Sequence, residues 1–408
     1  MQFTSGLVVK KWRGTSPPVM DLGLTTSPNK NDVFMEDIIK RIRQEIKSFL
    51  RERGEFLNMR EIVLGKTGIK VPQNAFGALP VQRVDMQMAV KLLRGAYEGG
   101  MRFFDTARAY SDSEEKLGEA FGSIDGMREK IFISTKTMAK TPDKFWEDLE
   151  ISLSKLKTDY IDIYQFHCVQ QCYKPGDGTG MYEAMVEAKR QGKIRHIGIT
   201  AHLIGVAEEI VSSGLYETLQ FPFCYLATDR EIELVKATEK AGMGFLAMKG
   251  LSGGLLTDSD ACMAFMSQYN VLPLWGIQRE EELAQWLRFF DREVEMTDEI
   301  AAFIEEDRKN LMGDFCRGCG YCMPCTVGIQ INNCARMSQL IRRSPSQNFL
   351  SEEWRGFMMK IEECVDCGLC KSRCPYELDT PNLLRKNLED YKNILAGNVP
   401  EVSVVGVK

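Results

Sequence analysis

The sequence lacks several features that would assign the chain to a broad class of protein. No run of residues approaches the roughly 20 apolar positions that a membrane-spanning helix requires. Basic residues do not outnumber acidic ones, since the formal net charge is −5 at pH 7, which argues against nucleic acid as a partner. The N-terminus has no long apolar stretch before a small-residue cleavage site, as a secretory leader would have. These absences favour a cytoplasmic protein that spans no membrane and binds no nucleic acid.

Cysteine, by contrast, is plentiful, and most of the 13 cysteines form two runs near the C-terminal end. The runs are "CRGCGYCMPC" and "CVDCGLCKSRC", and Pro375 directly follows the second. Disulfides are disfavoured in a reducing compartment, and zinc sites usually place two cysteine pairs on either side of a long spacer. The spacing instead predicts iron–sulfur clusters, because a C-x2-C-x2-C turn wraps three thiolates around one cubane cluster.

The two runs together predict two [4Fe–4S] clusters with a crossed set of ligands, as in two-cluster ferredoxins. The first cluster is predicted on Cys316, Cys319, Cys322 and Cys374. The second is predicted on Cys364, Cys367, Cys370 and Cys325. The first run departs from the usual pattern, because only two residues precede its last cysteine and Thr326 stands where proline often follows. The pattern therefore fixes the number of clusters more firmly than the partner of Cys325.

The remaining cysteines are scattered through the chain. They are Cys168, Cys172, Cys224, Cys262 and Cys334. We interpret them as small buried apolar residues.

Upstream of the cysteines, short β-rich runs alternate with amphipathic helical runs. The β-rich runs cover residues 73–80, 102–107, 130–137, 159–167, 194–202, 218–227, 244–250 and 271–278. Eight βα units within this length indicate a (β/α)8 TIM barrel. A doubly wound open sheet is the alternative, but no G-x-G-x-x-G turn follows the first strand.

The chain therefore divides into four predicted segments. Residues 1–58 form an extension with a Ser/Thr/Pro/Asn-rich stretch and one amphipathic helix, which we interpret as a docking helix. A membrane-surface or partner-binding helix is the alternative for that segment. Residues 59–300 form the barrel, residues 301–395 form a small, mostly α-helical two-cluster domain, and residues 396–408 form a tail.

Polar residues end three consecutive strands of the predicted barrel. Asp105, Lys136 and His167 end the second, third and fourth strands, and Tyr110 lies in the loop after Asp105. Each has a plain structural explanation alone, but the carboxyl ends of barrel strands meet at one mouth, so the four side chains should converge. A lysine cation held by Asp105 would lower the pKa of the Tyr110 phenol. The phenol could then donate a proton to a carbonyl oxygen while hydride reaches the carbon, with His167 orienting the carbonyl.

These motifs resemble those of the aldo-keto reductases. "REIVLGKTGIKVPQNAFG" is similar to their opening hairpin and first strand, "FFDTARAYSDSEEKLGEAF" to their Asp–Tyr segment, and "FISTKT" and "IYQFH" to their Lys and His segments. The resemblance covers residues 60–290, and with the cysteine runs the chain resembles the branch that has a C-terminal 4Fe–4S dicluster domain. It implies an NAD(P)-dependent carbonyl reductase or alcohol dehydrogenase, with Tyr110 as proton donor beside Asp105, Lys136 and His167.

The chain departs from the family where the nicotinamide cofactor is held. The family's amide-binding Ser-Asn pair after the fifth strand is replaced by Ala201 and His202, whereas Gln220 matches the family's amide-binding glutamine. After the eighth strand, Gln285 and Trp286 replace a Glu-Asn pair. Arg279 could meet a 2′-phosphate, although the three glutamates that follow it could simply favour a helix N-terminus. Gln220, Arg279 and His202 are thus the candidate dinucleotide contacts.

The sequence leaves two main hypotheses for function. A barrel of this type transfers hydride, which carries two electrons, whereas a 4Fe–4S cluster carries one electron. A further group, such as a flavin, must therefore convert between electron pairs and single electrons. In the first hypothesis the barrel acts on a carbonyl or alcohol, and the clusters link it to ferredoxin or another redox protein. In the second, the barrel is an ordinary NAD(P)H-dependent reductase and the clusters are structural or serve sensing and docking. A barrel that has lost its cofactor is disfavoured, because the Asp–Tyr–Lys–His set is intact.

Overall fold

The computed structural model describes residues 59–292, 294–311, 316–343, 349–374 and 376–398. They belong to one unit of the chain, Gly54–Lys408, and the other unit, Met1–Arg53, lies outside the described residues. The helix predicted within residues 1–58 is therefore also outside them. Within the described part of the chain, no helix is long and apolar enough to cross a membrane.

Eight parallel strands close into a barrel, which confirms the predicted fold and shows the open-sheet alternative to be wrong. The strand order is β10-β3-β4-β5-β6-β7-β8-β9, and β10 closes the ring by pairing with β3. The barrel strands are β3 (Ala75–Gly77), β4 (Phe103–Asp105), β5 (Phe132–Thr137), β6 (Ile161–Val169), β7 (Ile194–Ala201), β8 (Thr218–Pro222), β9 (Gly244–Met248) and β10 (Val271–Gly276). Each predicted β-rich run contains or overlaps one of them.

A short antiparallel hairpin precedes the barrel and closes its N-terminal end. Its strands are β1 (Glu61–Val63) and β2 (Lys70–Pro72). Apolar side chains of the hairpin pack into one buried cluster with side chains from the barrel interior, including Ala75 and Phe103 at the first positions of their strands. Because this end is filled with apolar side chains, the polar residues are left to the opposite, carboxyl end of the strands.

The barrel helices pack on the outside of the sheet, most of them through one apolar face. They are α1 (Met86–Glu98), α2 (Ser113–Leu117), α3 (Pro142–Leu156), α4 (Met181–Arg190), α5 (Ile204–Ser213), α6 (Asp229–Lys240), α7 (Ser259–Ser267) and α8 (Glu280–Leu287). In α3, Thr141 caps the N-terminus and Pro142 occupies the first turn, where its missing N–H costs nothing. The buried residues of α3 recur at helical spacing, which explains why this segment reads as an amphipathic helix.

The cysteine-rich domain is helical, as predicted. The α-helices of its described residues are α9 (Asp298–Leu311), α10 (Ile331–Cys334), α11 (Met337–Arg343), α12 (Glu352–Met359), α13 (Leu369–Ser372) and α14 (Thr380–Leu395). The long helix α14 contacts α10, α11, α12 and α13, so the shorter helices of the domain pack around it. Helix α9 is fixed to the loop after β8, where the Tyr225 hydroxyl donates to Asp307 at 2.5 Å and Arg308 Nε donates to the Tyr225 carbonyl at 2.6 Å.

Candidate active site and cysteine clusters

A buried ion pair lies at the carboxyl end of two neighbouring barrel strands. Lys136 in β5 donates from Nζ to both carboxylate oxygens of Asp105 in β4, at 2.8 and 2.7 Å, and to the Thr106 carbonyl at 2.6 Å. Asp105 is 4% exposed and Lys136 is 1% exposed, so water screens the pair very little. Adjacent strands place the two residues side by side, as the sequence predicted.

Tyr110 and His167 complete the predicted group of four. The Tyr110 ring meets the His167 ring edge-on, with the ring centroids 5.6 Å apart. Lys136 Nζ lies 5.3 Å from the centroid of the Tyr110 ring. His167 Nδ1 is buried and has no hydrogen-bond partner within the described ranges. A buried polar atom without a partner is costly, so this nitrogen is suited to receive or give a hydrogen bond when a ligand enters.

The protonation of Tyr110 differs from the expectation. Burial raises the pKa of the Tyr110 phenol above its usual range, and the charges of Asp105 and Cys168 add to this effect. The raising effect of burial therefore outweighs the predicted lowering by Lys136. The phenol keeps its proton at any working pH, which leaves it able to donate that proton.

His167 is neutral in this environment. Burial lowers the pKa of His167 to about 3, and the positive charge of Lys136 acts in the same direction. A neutral imidazole can orient a carbonyl by one hydrogen bond, but it holds no extra proton to deliver near neutral pH.

Two of the candidate dinucleotide contacts are engaged within the protein close to the tetrad. Gln220 donates from Nε2 to Asp105 Oδ2 at 3.3 Å, and its Oε1 accepts from Gln165 Nε2 at 2.9 Å. His202 is 7% exposed, and its Nδ1 lies 3.6 Å from the sulfur of Cys168. The His202 ring also packs edge-on against Tyr321 of the cysteine-rich domain, with ring centroids 5.5 Å apart.

The third candidate, Arg279, is an exposed residue at the N-terminus of α8, where it bonds Glu282 at 2.9 and 2.7 Å. Gln285 donates to Ser259 at 2.9 Å, and Trp286 is buried in a stack with Trp275 at 3.8 Å between ring centroids. These side chains are thus engaged within the protein, at positions where the family resemblance implies contacts with a nicotinamide dinucleotide.

The cysteines surround two cavities in the crossed arrangement that the runs predicted. A cavity of about 340 Å³ is lined by Cys316, Cys319, Cys322 and Cys374. A cavity of about 400 Å³ is lined by Cys325, Cys364, Cys367 and Cys370, and Cys322 also reaches it. We refer to these as the first and second cysteine cavities. The shorter gap in the first run does not prevent Cys325 from reaching the second cavity.

The spacing of the cysteines suits a cluster better than a single ion. Zn–S bonds of about 2.3 Å would bring tetrahedral thiolates within roughly 3.8 Å of one another. Among the residues whose positions are described, no three His, Cys, Asp or Glu side chains converge closely enough to hold one metal ion. Four cysteines around each cavity, three from one C-x2-C-x2-C turn and one from the other run, suit a cube of iron and sulfide.

The two cysteine runs follow the same backbone path. Gly318 and Gly320 in the first run have positive φ angles of 63° and 83°, and Asp366 and Gly368 occupy the equivalent positions of the second run with 52° and 71°. Glycine adopts this left-handed conformation without steric cost, and aspartate tolerates it. These turns bring the three cysteines of each run to the same side.

The equivalent side chains of the two runs meet different surroundings. In the first run, Arg317 donates to Glu231 in α6 at 2.6 Å, and Tyr321 packs against His202 at the end of β7. Their positional equivalents in the second run, Val365 and Leu369, are 64% and 39% exposed. The first run therefore faces the barrel, whereas the second run faces solvent.

Several residues at this boundary were not singled out by the sequence. Cys168 was interpreted as a buried apolar residue, yet its sulfur adjoins His202 and its backbone N–H donates to Thr200 at 2.7 Å. Lys249 follows β9 at the carboxyl end of a strand, the same kind of position as Lys136. That placement was the available signal for Lys249. No sequence signal pairs Tyr321 with the barrel, because its partner comes from another domain.

Comparisons with known proteins agree with this arrangement. The sequence model of the aldo/keto reductase family matches residues 62–268, and the model of the 4Fe-4S dicluster domain matches residues 315–379. The chain is 30% identical over 221 residues to uncharacterized oxidoreductase YrpG of Bacillus subtilis, covering 47% of this chain and 67% of that protein. It is 34% identical over 144 residues to methylglyoxal reductase DkgB of Salmonella typhi, covering 34% of this chain and 52% of that protein. The chain thus spans between about half and two thirds of these relatives.

Solved structures show the same fold. The holo form of aldo-keto reductase AKR11C1 from Bacillus halodurans superposes with a TM-score of 0.53 at 19% identity, covering 61% of this chain and 96% of that chain. An aldo-keto reductase from Klebsiella pneumoniae in complex with NADPH gives a TM-score of 0.51 at 21% identity, covering 60% and 94%. At these identities the likeness concerns the barrel fold alone.

Proposed function

Because the chain belongs to the aldo/keto reductase family and carries a 4Fe-4S dicluster domain, we propose that it reduces a carbonyl or oxidises an alcohol at the barrel mouth, with two [4Fe–4S] clusters carrying the electrons. The observation that carries this proposal is the unequal setting of the two cysteine runs. One run is packed against the end of the barrel that holds the tetrad, and the other is exposed. Such an order suits electrons that pass between an external partner and the barrel by way of both clusters.

The tetrad can supply the proton chemistry of this reaction. Tyr110 O–H would protonate the carbonyl oxygen of the substrate while hydride, formed from two electrons and a solvent proton, reaches its carbon, and the reverse steps would serve alcohol oxidation. Lys136 lies near enough to the ring to stabilise the phenolate that forms once the proton has left. Asp105 fixes Lys136 in place, and neutral His167 would hold the substrate oxygen by a hydrogen bond.

When bound, the clusters would supply electrons one at a time. A carbonyl needs two, so the proposal includes a flavin, bound to this chain or to a partner, as the group that pairs them. Ferredoxin or a similar small redox protein is the class of partner that would reach the exposed run. A reducing compartment such as the cytoplasm would suit this chemistry, because Cys367 of the second run is exposed.

The test uses the full chain purified without oxygen. We expect iron and sulfide near eight each per chain, as two cubanes require. The protein is reduced with dithionite, freed of excess reductant, supplied with FMN or FAD, and mixed with a panel of small carbonyl compounds while cluster absorption is followed. Reoxidation by one class of carbonyl supports the proposal, and the alcohol product should appear in proportion to the electrons lost.

The matched variants are Tyr110→Phe and Tyr182→Phe. Loss of the Tyr110 hydroxyl should slow carbonyl reduction by about 10²-fold or more, the scale of general acid catalysis, with iron content unchanged. Tyr182 donates to the Leu215 carbonyl away from the tetrad, so its variant should react normally. Near-normal reduction by Tyr110→Phe, or zinc in place of iron, would reject the proposal.

The second candidate function is an ordinary NAD(P)H-dependent carbonyl reductase whose cluster domain is structural or serves docking. The contacts of Arg317 and α9 with the barrel favour it, since they would fix the domain in place whatever its redox role. In that case NADPH alone would sustain full turnover, and reduced clusters would stay reduced when carbonyls are added.

A further inference from the structure

Most cations that are withdrawn from solvent in this chain have a carboxylate partner. Lys136 pairs with Asp105, Arg128 with Asp162, and Arg317 with Glu231. Such pairing is expected, because a charge that loses its hydration needs a compensating charge or hydrogen bonds. Two cations between the barrel and the first cysteine cavity break this rule. Lys249 and Arg336 have no carboxylate partner among the described residues.

Lys249 belongs to the barrel and directly follows β9. It is partly buried, and its φ angle of 59° is a left-handed conformation that lysine rarely adopts. Burial lowers the pKa of Lys249, whereas the nearby thiols of Cys319, Cys168 and Cys316 act in the opposite direction. Two of these cysteines line the first cavity. A strained position at a strand end is typical of a residue held for its function.

Arg336 belongs to the cysteine-rich domain and lies between α10 and α11. Its guanidinium lies close to two glycines in different loops. A β-carbon added to Gly318 would come within 2.8 Å of Arg336 Nη1, and a β-carbon added to Gly253 would come within 2.5 Å of the same atom. Gly318 stands between two cysteines of the first cavity, and Gly253 lies in the loop after β9. Nη1 donates to the Ser252 carbonyl at 3.4 Å, and Nε is buried without a partner within the described ranges.

The cations beside the second cysteine cavity are exposed. Lys371 pairs with Asp379 at 3.5 Å, Arg385 pairs with Asp366, and Arg373 donates to the Pro324 carbonyl at 3.5 Å. The paired side chains are about half exposed and Arg373 is exposed, so solvent screens their charges. The two cavities therefore differ in how far the nearby uncompensated charge is withdrawn from solvent, although their backbones match.

We propose that Lys249 and Arg336 are the counter-charges of the cluster in the first cavity, and that Lys249 lets the barrel raise the reduction potential of that cluster. The inference rests on one part of the proposed function, namely that this cavity holds a [4Fe–4S] cluster. Four thiolates make such a cluster anionic, and its reduced form carries one more negative charge. Fixed cations in a poorly solvated place stabilise the reduced form more than the oxidised form, so they raise the potential. Lys249 and Arg336 are positioning residues in this scheme, since they touch no substrate.

The test compares Lys249→Met, Lys249→Arg and the control Lys236→Met in the full chain, reduced stepwise under anaerobic conditions and followed by electron paramagnetic resonance. Lys249→Met should lower the potential of one cluster and leave the other unchanged. Lys249→Arg should keep the potential of the natural chain, because it retains the positive charge. Lys236 lies in α6 and pairs with Glu233 on the surface, so its loss should change neither potential.

Each outcome decides the inference. Unchanged potentials in Lys249→Met with full iron content, or an equal shift of both clusters, overturn it. If Lys249→Met loses one cluster, retention of that cluster in Lys249→Arg supports it and loss in both variants overturns it. The potentials are measured without turnover, so clusters that titrate normally in a protein that reduces no carbonyl would reject the proposed function and leave this inference standing. A wild-type chain that assembles no iron would reject both.

Discussion

At the scale of single residues, the tetrad depends on one buried ion pair. Lys136 saturates both oxygens of Asp105, and the only other described side-chain donor to that carboxylate is Gln220 at the longer distance of 3.3 Å. Pairs of this kind contribute little net stability, but the removal of one partner leaves the other charge buried without a counter-charge. The pair therefore holds the geometry of the site rather than the fold as a whole.

Lys136→Met should consequently destabilise the barrel. We expect the free energy of unfolding to fall by about 3–5 kcal/mol, because Asp105 is left buried without its cation. The double variant Asp105→Asn/Lys136→Met should recover part of the loss, since it removes the charge that the single variant strands. Urea unfolding followed by tryptophan fluorescence measures both. An unchanged urea midpoint of unfolding in Lys136→Met would contradict the view that Asp105 depends on Lys136 for its buried charge.

His167 should make stability depend on pH. Its folded pKa of about 3 lies below the unfolded value of 6.5, so the unfolded chain binds the proton more readily. The stabilising effect of the neutral ring is complete above pH 6.5 and is lost as pH falls from 6.5 toward 3. Between pH 7 and 5 we expect a loss on the order of 1–2 kcal/mol from this residue. His167→Gln should reduce the slope of stability against pH, and an equal slope in both proteins would contradict the prediction.

The same residues show what the sequence could and could not reveal about the site. Asp105, Lys136 and His167 were predictable because each ends an apolar strand, and barrel topology brings strand ends together. The direction of the pKa shift of Tyr110 was not, because it depends first on how deeply the fold buries the ring and then on the nearby carboxylate of Asp105. Spacing along the chain carries no information about that depth.

At the scale of elements, the strands were predictable to within a few residues, because apolar runs bounded by polar residues mark them. An irregularity in β6 was not predictable. Its register with β7 shifts between Phe166 and Val169, and Cys168 takes a left-handed φ of 52° there. This break in the ladder lies at the end of the strand that carries His167 and Cys168, and irregularities of this kind are common beside active sites.

The cysteine runs allow a test of the crossed arrangement. Cys374 lies in the second run but lines the first cavity with Cys319, whereas Cys367 lines the second cavity. Cys374→Ser should therefore lose the same paramagnetic signal as Cys319→Ser, and iron should fall from about eight toward about four per chain. Cys367→Ser should lose the other signal. If Cys374→Ser instead matched Cys367→Ser, each run would bind its own cluster and the crossed assignment would fail.

At the scale of the whole molecule, the cysteine-rich domain contacts one residue at a position that the family resemblance assigns to the nicotinamide. His202 stands where that resemblance places an amide-binding asparagine, and Tyr321 packs against its ring. Gln220 is bonded within the barrel to Gln165 and Asp105. The sequence revealed the substitution at His202, but it could not show that Tyr321 packs against it, because contacts between domains leave no local pattern.

These contacts predict how the protein receives electrons. The isolated chain should bind NADP(H) or NAD(H) more weakly than a barrel with the family's Ser-Asn pair, and full activity should require a low-potential donor such as reduced ferredoxin or viologen. The double variant Ala201→Ser/His202→Asn restores the pair and should tighten NADPH binding by about 3–10-fold, the effect of one or two net hydrogen bonds. Ser212→Ala provides a control, because the exposed Ser212 hydroxyl donates only to the Glu208 carbonyl within α5.

The measurement is a fluorescence titration of NADPH against cluster-loaded and cluster-free protein, paired with turnover assays under each donor. Weak binding in the natural chain, a gain in the double variant and turnover that follows the reduced clusters would agree with entry through the exposed second run. Tight NADPH binding with turnover that ignores the clusters would contradict it. In that event the close packing of Arg317 and Tyr321 on the barrel would be an interface that holds the domain in place, and the hydride would come from the dinucleotide alone.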